Sequence, residues 1–172
     1  MSQLTMTGQP HAVIDEPASP PARDDEAAIR ATIAAWSRAL EARDPDGLTA
    51  NHAADAVLYD VKPPYKLEGV AAIRRTWAAC LPYFPASFRS EHRDLRIAVS
   101  GDVAFCHGLH HIRPLDEPTH PAGRSWIRVT ACYRRIDGRW QVVHEHVSVP
   151  FDCATGQVAP IFDPDEASAS RV

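Results

Sequence analysis

The sequence predicts an α+β domain in which helices lie on one side of a curved, mostly antiparallel sheet. Three observations lead there. Apolar residues in the first half recur at helical spacing: Ile29, Ile33, Trp36 and Leu40, then Val70, Ile73, Trp77 and Leu81. The second half alternates with a period of two, as in Leu95, Ile97 and Val99. Asp137-Gly138 between apolar runs marks a tight hairpin. Runs of helices followed by runs of strands build an α+β layout.

The elements follow in order. Asp24, Asp25 and Glu26 place three acids at a helix start, where the backbone dipole favours them. Asp44-Pro45 ends that helix, because a residue before proline avoids the helical region. Residues 46–50 read as a second, short helix and Ala56–Asp60 as a short strand. A third helix starts near Gly69 and is closed by Pro82 and Pro85. Strands are expected over Phe88–Val99, Val103–Arg113, Ser125–Ile136 and Arg139–Val149, with a Pro- and Gly-bearing loop over 114–124. Residues 1–23, with Pro10, Pro17, Pro20 and Pro21, read as a disordered leader. The folded domain is expected over 24–158 and a tail over 159–172. Phe151, Val158, Ile161 and Phe162 give the chain's end enough apolar surface to fold over a pocket mouth.

Composition excludes several classes. A length of 172 residues suits one domain with a core. The formal charge of −4 lacks the basic stripe that nucleic-acid binding needs, so no nucleic-acid partner is expected. No stretch approaches the ~18 apolar residues of a membrane span, and no secretory signal is seen, so a cytoplasmic protein without a membrane partner is expected. Cys80, Cys106, Cys132 and Cys153 form no CxxC pair and read as free, mostly buried thiols. No phosphate loop, GxSxG elbow or local cysteine-protease pattern occurs.

Four motifs come in a fixed order: Asp44-Pro-Asp-Gly-Leu48, Ala53-Ala-Asp-Ala-Val57 running to Asp60, Gly69-Val-Ala-Ala-Ile-Arg74, and Arg135-Ile-Asp-Gly-Arg-Trp140. Together they resemble the superfamily of nuclear transport factor 2, ketosteroid isomerases and SnoaL-like polyketide cyclases. His144-Glu-His-Val-Ser148 resembles its SnoaL-like and calcium/calmodulin-kinase-association branches. The resemblance spans about residues 25–150. It implies a cone-shaped, mostly antiparallel sheet wrapped by three N-terminal helices, enclosing a pocket, in a homodimer joined through the sheet. It also implies a small apolar or aromatic carbonyl-bearing ligand. The activity implied is cofactor-independent acid–base chemistry of isomerase, cyclase or lyase type, namely isomerisation, aldol-type cyclisation or dehydration. The alternative is a non-catalytic ligand-binding or association domain of the same fold.

The resemblance assigns candidate residues. Asp60 stands where ketosteroid isomerases carry their proton-transfer base; it also reads as a strand-end aspartate capping the loop before Pro63. Trp36 stands at that family's oxyanion tyrosine, Cys132 at its proton-donating aspartate and Trp77 at a tyrosine-like position on the third helix. A substrate other than a steroid is therefore expected. Both tryptophans also read as plain core aromatics.

Register gives the remaining candidates. With Asp137-Gly138 as a two-residue loop, Cys132 faces Val143, Thr130 faces Glu145 and Arg128 faces Val147. The resemblance turns this set inward and the set holding His144 and His146 outward. The same alignment turns Phe105, His107 and Leu109 inward, with Ala104, Cys106 and Gly108 outward. His107 is then the acid–base partner of Asp60, or a histidine satisfied by a neighbouring strand or Arg96. Arg128 and Glu145 form an ion pair, or Arg128 binds a ligand anion. Expected substrate contacts are thus Trp36, Trp77, Phe105, Leu109, Arg128, Thr130, Glu145 and Val147. A zinc site using His144 and His146 with His92 or His111 is the third reading; the outward placement of that pair leaves no metal or cofactor expected.

Overall fold

The structure, a computed structural model, describes residues 22–165. The expected leader falls almost wholly outside these residues, as do positions 166–172 of the expected tail. Helix α1 (Ala22–Glu41) buries Ile29 and Leu40 completely. It ends at Arg43, whose φ of 57° is left-handed and breaks the helical repeat. The Arg43 guanidinium donates to the Leu81 carbonyl at 2.6 Å and to that of Pro85, tying the helix end to a distant loop. Helix α2 (Pro45–Thr49) is capped by Asp44, whose Oδ1 accepts from the Asp46 N–H at 3.0 Å.

Strand β1 (His52–Tyr59) starts four residues earlier than the sequence suggests. Strand β2 (Lys66–Glu68) is unexpected, since three residues are too few to show an alternating pattern. Helix α3 (Val70–Cys80) follows, then β3 (Phe88–Ser100), β4 (Val103–Pro114), β5 (Ile127–Ile136) and β6 (Arg139–Ser148). The sheet order is β2-β1-β6-β5-β4-β3. Among the described strands only β1–β6 is a parallel pair, which places β1 against the second strand of the β5–β6 hairpin. Asp137 and Gly138, with φ of 50° and 75°, make the tight β5–β6 turn the sequence announces.

Two register shifts decide what faces the helices. In β3–β4, Arg93 pairs with Leu109 but Arg96 pairs with His107, so β3 carries an extra residue. Asp94 there has a left-handed φ of 54°. Gly108 sits opposite, where a Cβ would lie 2.9 Å from the Arg93 carbonyl oxygen, closer than contact allows. In β5–β6, Cys132 pairs with His144 but Tyr133 pairs with Val142, leaving Val143 unpaired. Such a bulge re-aims every side chain beyond it.

One core cluster packs Ile29 of α1 on Ala104, Cys106, Ala131, Tyr133, Trp140 and Val142. The small residues of β4 and β5 thus lie under the helix and let it approach. Asp25 holds the same contact electrostatically: its Oδ1 accepts from Arg135 Nη2 at 2.7 Å and Trp140 Nε1 at 3.1 Å. The Arg135 hydrogen bond, opposed in part by burial, keeps this carboxyl below the usual aspartate range. Residues 159–165 do not reach the pocket. Ile161 bridges to Trp126, and Asp165 pairs with Arg93 at 2.9 Å. All four cysteines are free; Cys106 is buried, Cys80 and Cys132 are half-buried and Cys153 is exposed.

Candidate functional site

A cavity of about 490 Å³ lies between the concave sheet face and the three helices. That volume suits a small-molecule site. α1 contributes Thr32, Ile33 and Trp36; α3 contributes Ile73, Thr76, Trp77 and Cys80. Their spacing of three and four keeps each set on one helix face. The sheet contributes His52, Leu58, His92, Leu95, Cys106, His110, Val129, Ala131, Tyr133, Val142, Glu145 and Val147. The bulges explain pairs three apart: His92 with Leu95, and Val142 with Glu145, face one cavity only because one residue between them is extra.

Asp60, Trp36, Trp77, Glu145 and Val147 line the cavity as expected. The other candidates do not. Phe105 is 47% exposed, and His107 and Arg128 are exposed, all on the opposite sheet face; Leu109 and Thr130 are also absent from the lining. Ala104 and Cys106 take the inner face instead because α1 lies close upon it. The bulge at Val143 pairs Val147 with Val129 and Glu145 with Ala131, so the partners expected for them, Arg128 and Thr130, turn outward. His107 therefore cannot partner Asp60, and Arg128 cannot pair with Glu145. His144 and His146 lie off the cavity, with His144 Nδ1 3.0 Å from the Val57 carbonyl and both rings against Tyr59. Among the described residues no three metal-ligating side chains cluster.

Sequence reasoning missed three histidines. His52, with a side chain 3% exposed, has Nε2 3.2 Å from Glu145 Oε2. It opens β1, four residues ahead of the Ala56 at which the sequence places the strand. His110 is buried, with Nε2 2.9 Å from Ser90 Oγ, and its ring stands 4.8 Å from that of His92. Trp36 meets both rings edge-on, at 5.3 and 6.1 Å, and meets Trp77 at 5.8 Å. Gly108, a glycine inside a strand pattern, was the available signal for the bulge that brings His92 and His110 inward.

Most polar groups here are uncharged. Burial, then the neighbouring His92 and His111, pushes His110 down to about 3. Burial lowers His92 as well. Burial raises the Tyr133 hydroxyl and the Cys106 thiol, whose atoms lie 3.7 Å apart. The charged lining groups are Glu145 beside His52, and Asp60 bound to the Lys62 ammonium. The Asp60 side chain is 11% exposed, and that of Lys62 40%. Among the described residues three ring nitrogens are fully buried without a protein partner: Trp36 Nε1, Trp77 Nε1 and His52 Nδ1. All three rings line the cavity.

The SnoaL-like domain profile matches residues 29–152. A nuclear transport factor 2-like protein of unknown function from Pseudomonas putida is 31% identical, with a TM-score of 0.76 over 83% of this chain and 99% of that one. A Mycobacterium tuberculosis protein of unknown function is 18% identical, with a TM-score of 0.66 over 80% of this chain and 83% of that one. A candidate dehydratase of the nuclear transport factor 2-like family from Streptomyces avermitilis is 19% identical, with a TM-score of 0.63 over 76% of this chain and 99% of that one. No curated protein matches. The profile match and the Pseudomonas relative agree with the motifs and the concave sheet: this chain belongs to the SnoaL-like family of the nuclear transport factor 2-like superfamily.

Proposed function

We propose that the protein is a small-molecule enzyme carrying out cofactor-independent acid–base chemistry on an apolar carbonyl compound: an isomerisation, an aldol-type cyclisation or a dehydration. The observation that carries this reading is an apolar cavity, walled by the rings of Trp36, Trp77 and His52, that also holds two carboxylates. A buried donor without an acceptor costs about 1–3 kcal/mol. A ligand oxygen would remove that cost once a shift of the ring brings an indole N–H to the cavity surface, since neither nitrogen has accessible surface as it stands. A donor brought to the cavity wall in this way would also stabilise the negative charge that develops on a ligand carbonyl when a neighbouring C–H is deprotonated. The base comes from the acidic groups of the lining, Asp60 with Lys62 or Glu145 with His52. The Streptomyces candidate dehydratase belongs to the same class of chemistry.

One observation favours a second reading. The Asp60–Lys62 ion pair leaves that carboxylate already bonded, as in a ligand-binding domain without catalysis. The test is turnover of a panel of β-keto and polyketide-like compounds by the wild type and by Trp36→Phe/Trp77→Phe, with binding measured in parallel. Turnover that falls at least 30-fold in the double variant supports the enzyme. Binding by the wild type with no turnover of any compound supports the binding domain.

We further propose a homodimer through the outer sheet face, where Tyr59, Val103 and Phe105 are exposed. Phe105→Arg should then yield a monomer by light scattering. A wild type that is already monomeric at high micromolar concentration refutes it.

A further inference from the structure

We propose that His92 selects the ligand of this cavity: its ring hydrogen-bonds the oxygen of an uncharged ketone or phenol held between the helices and the sheet. This rests on the small-molecule reading above and names the ligand class. Of the three imidazoles that line the cavity, two are buried with Nε2 already engaged, His52 against Glu145 and His110 against Ser90. His92 is half-buried. Neither of its ring nitrogens has a hydrogen-bond partner among the described residues, and neither belongs to the unpartnered side-chain atoms that are sealed off completely, so both keep accessible surface. The ring lines the cavity, and that is where a ligand meets it.

The backbone departs from regular geometry to put this ring here. β3 carries its extra residue between Arg93 and Arg96, with Asp94 in the left-handed region that side chains rarely adopt. Without the bulge, alternation back from Leu95 would present Arg93 to the cavity. Arg93 instead lies over the Trp126 ring at 5.9 Å and pairs with Asp165. Bulges that re-aim a side chain are concentrated beside binding and active sites. Ring contacts with Trp36 at 6.1 Å and His110 at 4.8 Å fix the pose of His92.

The chemistry of the wall sets the ligand class. Burial disfavours the imidazolium and holds His92 below the ordinary histidine range. A neutral imidazole carries one N–H and one lone pair, so it donates to a ketone oxygen or accepts from a phenol. An anion finds no free cation here, because the Lys62 ammonium is bound by Asp60. It would also share the cavity with the Glu145 and Asp60 carboxylates. An N–H donated to a ketone oxygen would in addition draw charge onto that oxygen as a neighbouring C–H is deprotonated.

The test uses three probes of one shape: 2-acetylnaphthalene, 2-isopropenylnaphthalene, in which a CH₂ group replaces the oxygen, and naphthalene-2-carboxylate. Binding is measured by equilibrium dialysis. The wild type should hold the ketone at least tenfold more tightly than either of the others. His92→Phe keeps a ring but no nitrogen; its preference for the ketone over the hydrocarbon should fall below about threefold, with hydrocarbon affinity unchanged as the sign of an intact cavity. In nitrogen-15 spectra of the wild type the His92 ring nitrogens should shift with the ketone and not with the hydrocarbon. Nitrogens that stay in place under saturating ketone overturn the assignment whether or not the variant folds. A ketone preference that survives His92→Phe, or a carboxylate bound as tightly as the ketone, overturns it and leaves the small-molecule reading intact. Binding of none of the three by the wild type overturns both.

Discussion

Lowering the pH from 7.5 to 5 should destabilise this protein through His110, and the size of the effect follows from where that ring sits. In the folded chain burial disfavours the imidazolium, and His92 and His111 add to it, so His110 stays neutral down to about 3. In the unfolded chain an ordinary histidine takes a proton near 6.5. Between those values the unfolded state binds more protons, so stability is lost as the pH falls below about 6.5 and the loss saturates near the folded value. At pH 5 the unfolded ring is almost fully protonated and the folded ring is not, a difference worth about 2 kcal/mol against pH 7.5. In urea this moves the unfolding midpoint by about 1 M. Other histidines titrate too, including His92, which burial also lowers. The measurement is therefore the difference between wild type and His110→Gln, which keeps an amide nitrogen or oxygen for Ser90 Oγ and cannot titrate. The variant should lose about 2 kcal/mol less than the wild type over the same pH interval. Equal losses in the two proteins would show that His110 is accessible to protons when folded, and the neutral histidine floor of the cavity would be wrong.

Two further predictions test the frame around the cavity. Asp25→Ala strips the acceptor from Arg135 and Trp140, so thermal unfolding should fall by about 3 kcal/mol, on the order of 8 °C, with the far-ultraviolet spectrum retained; a change below 1 °C refutes the role given to that bond pair. Gly108→Ala drives a Cβ toward the Arg93 carbonyl and Leu95 Cα at the β3 bulge, so urea unfolding should show a loss of about 1–3 kcal/mol. A neutral outcome means the bulge is looser than the contact implies.

The sequence revealed the helices, the hairpins and the family, because these are written in periods and turn residues. Ile29, Ile33 and Leu40 mark one helix face, and Asp137-Gly138 marks one turn, without reference to anything distant. The inner face of the sheet was less legible. Side-chain parity along a strand survives only until the first extra residue, and Val143 carries no glycine or proline to announce itself. The expected set therefore had Glu145 and Val147 in the right place and Arg128 and Thr130 on the wrong face. Phe105, His107 and Leu109 failed for a different reason. The alignment to the family turned Phe105 in and Ala104 out, but α1 packs so closely that Ala104 and Cys106 are what the inner face accommodates. His52 was lost with the start of β1, since its neighbours Ala53, Ala54 and Asp55 show no strand pattern ahead of Ala56.

The two bulges do more than complicate the reading, because each converts a structural strand into part of a site. Regular alternation on β6 would turn His144, not Glu145, toward His52. Regular alternation on β3 back from Leu95 would turn Arg93, not His92, toward His110 and Trp36. In both strands the extra residue exchanges one polar side chain for another at the cavity wall while the rest of the core set, Val142 on β6 and Leu95, Ile97 and Val99 on β3, keeps its place. A fold whose sheet must stay apolar for α1 to pack can in this way admit a carboxylate and an imidazole at chosen points. Burying Glu145 is tolerable because His52 meets it, and burying His110 is tolerable because it remains neutral and bonded to Ser90. What is left unmet among the described residues, two indole N–H groups and one imidazole nitrogen, sits on rings that wall the cavity.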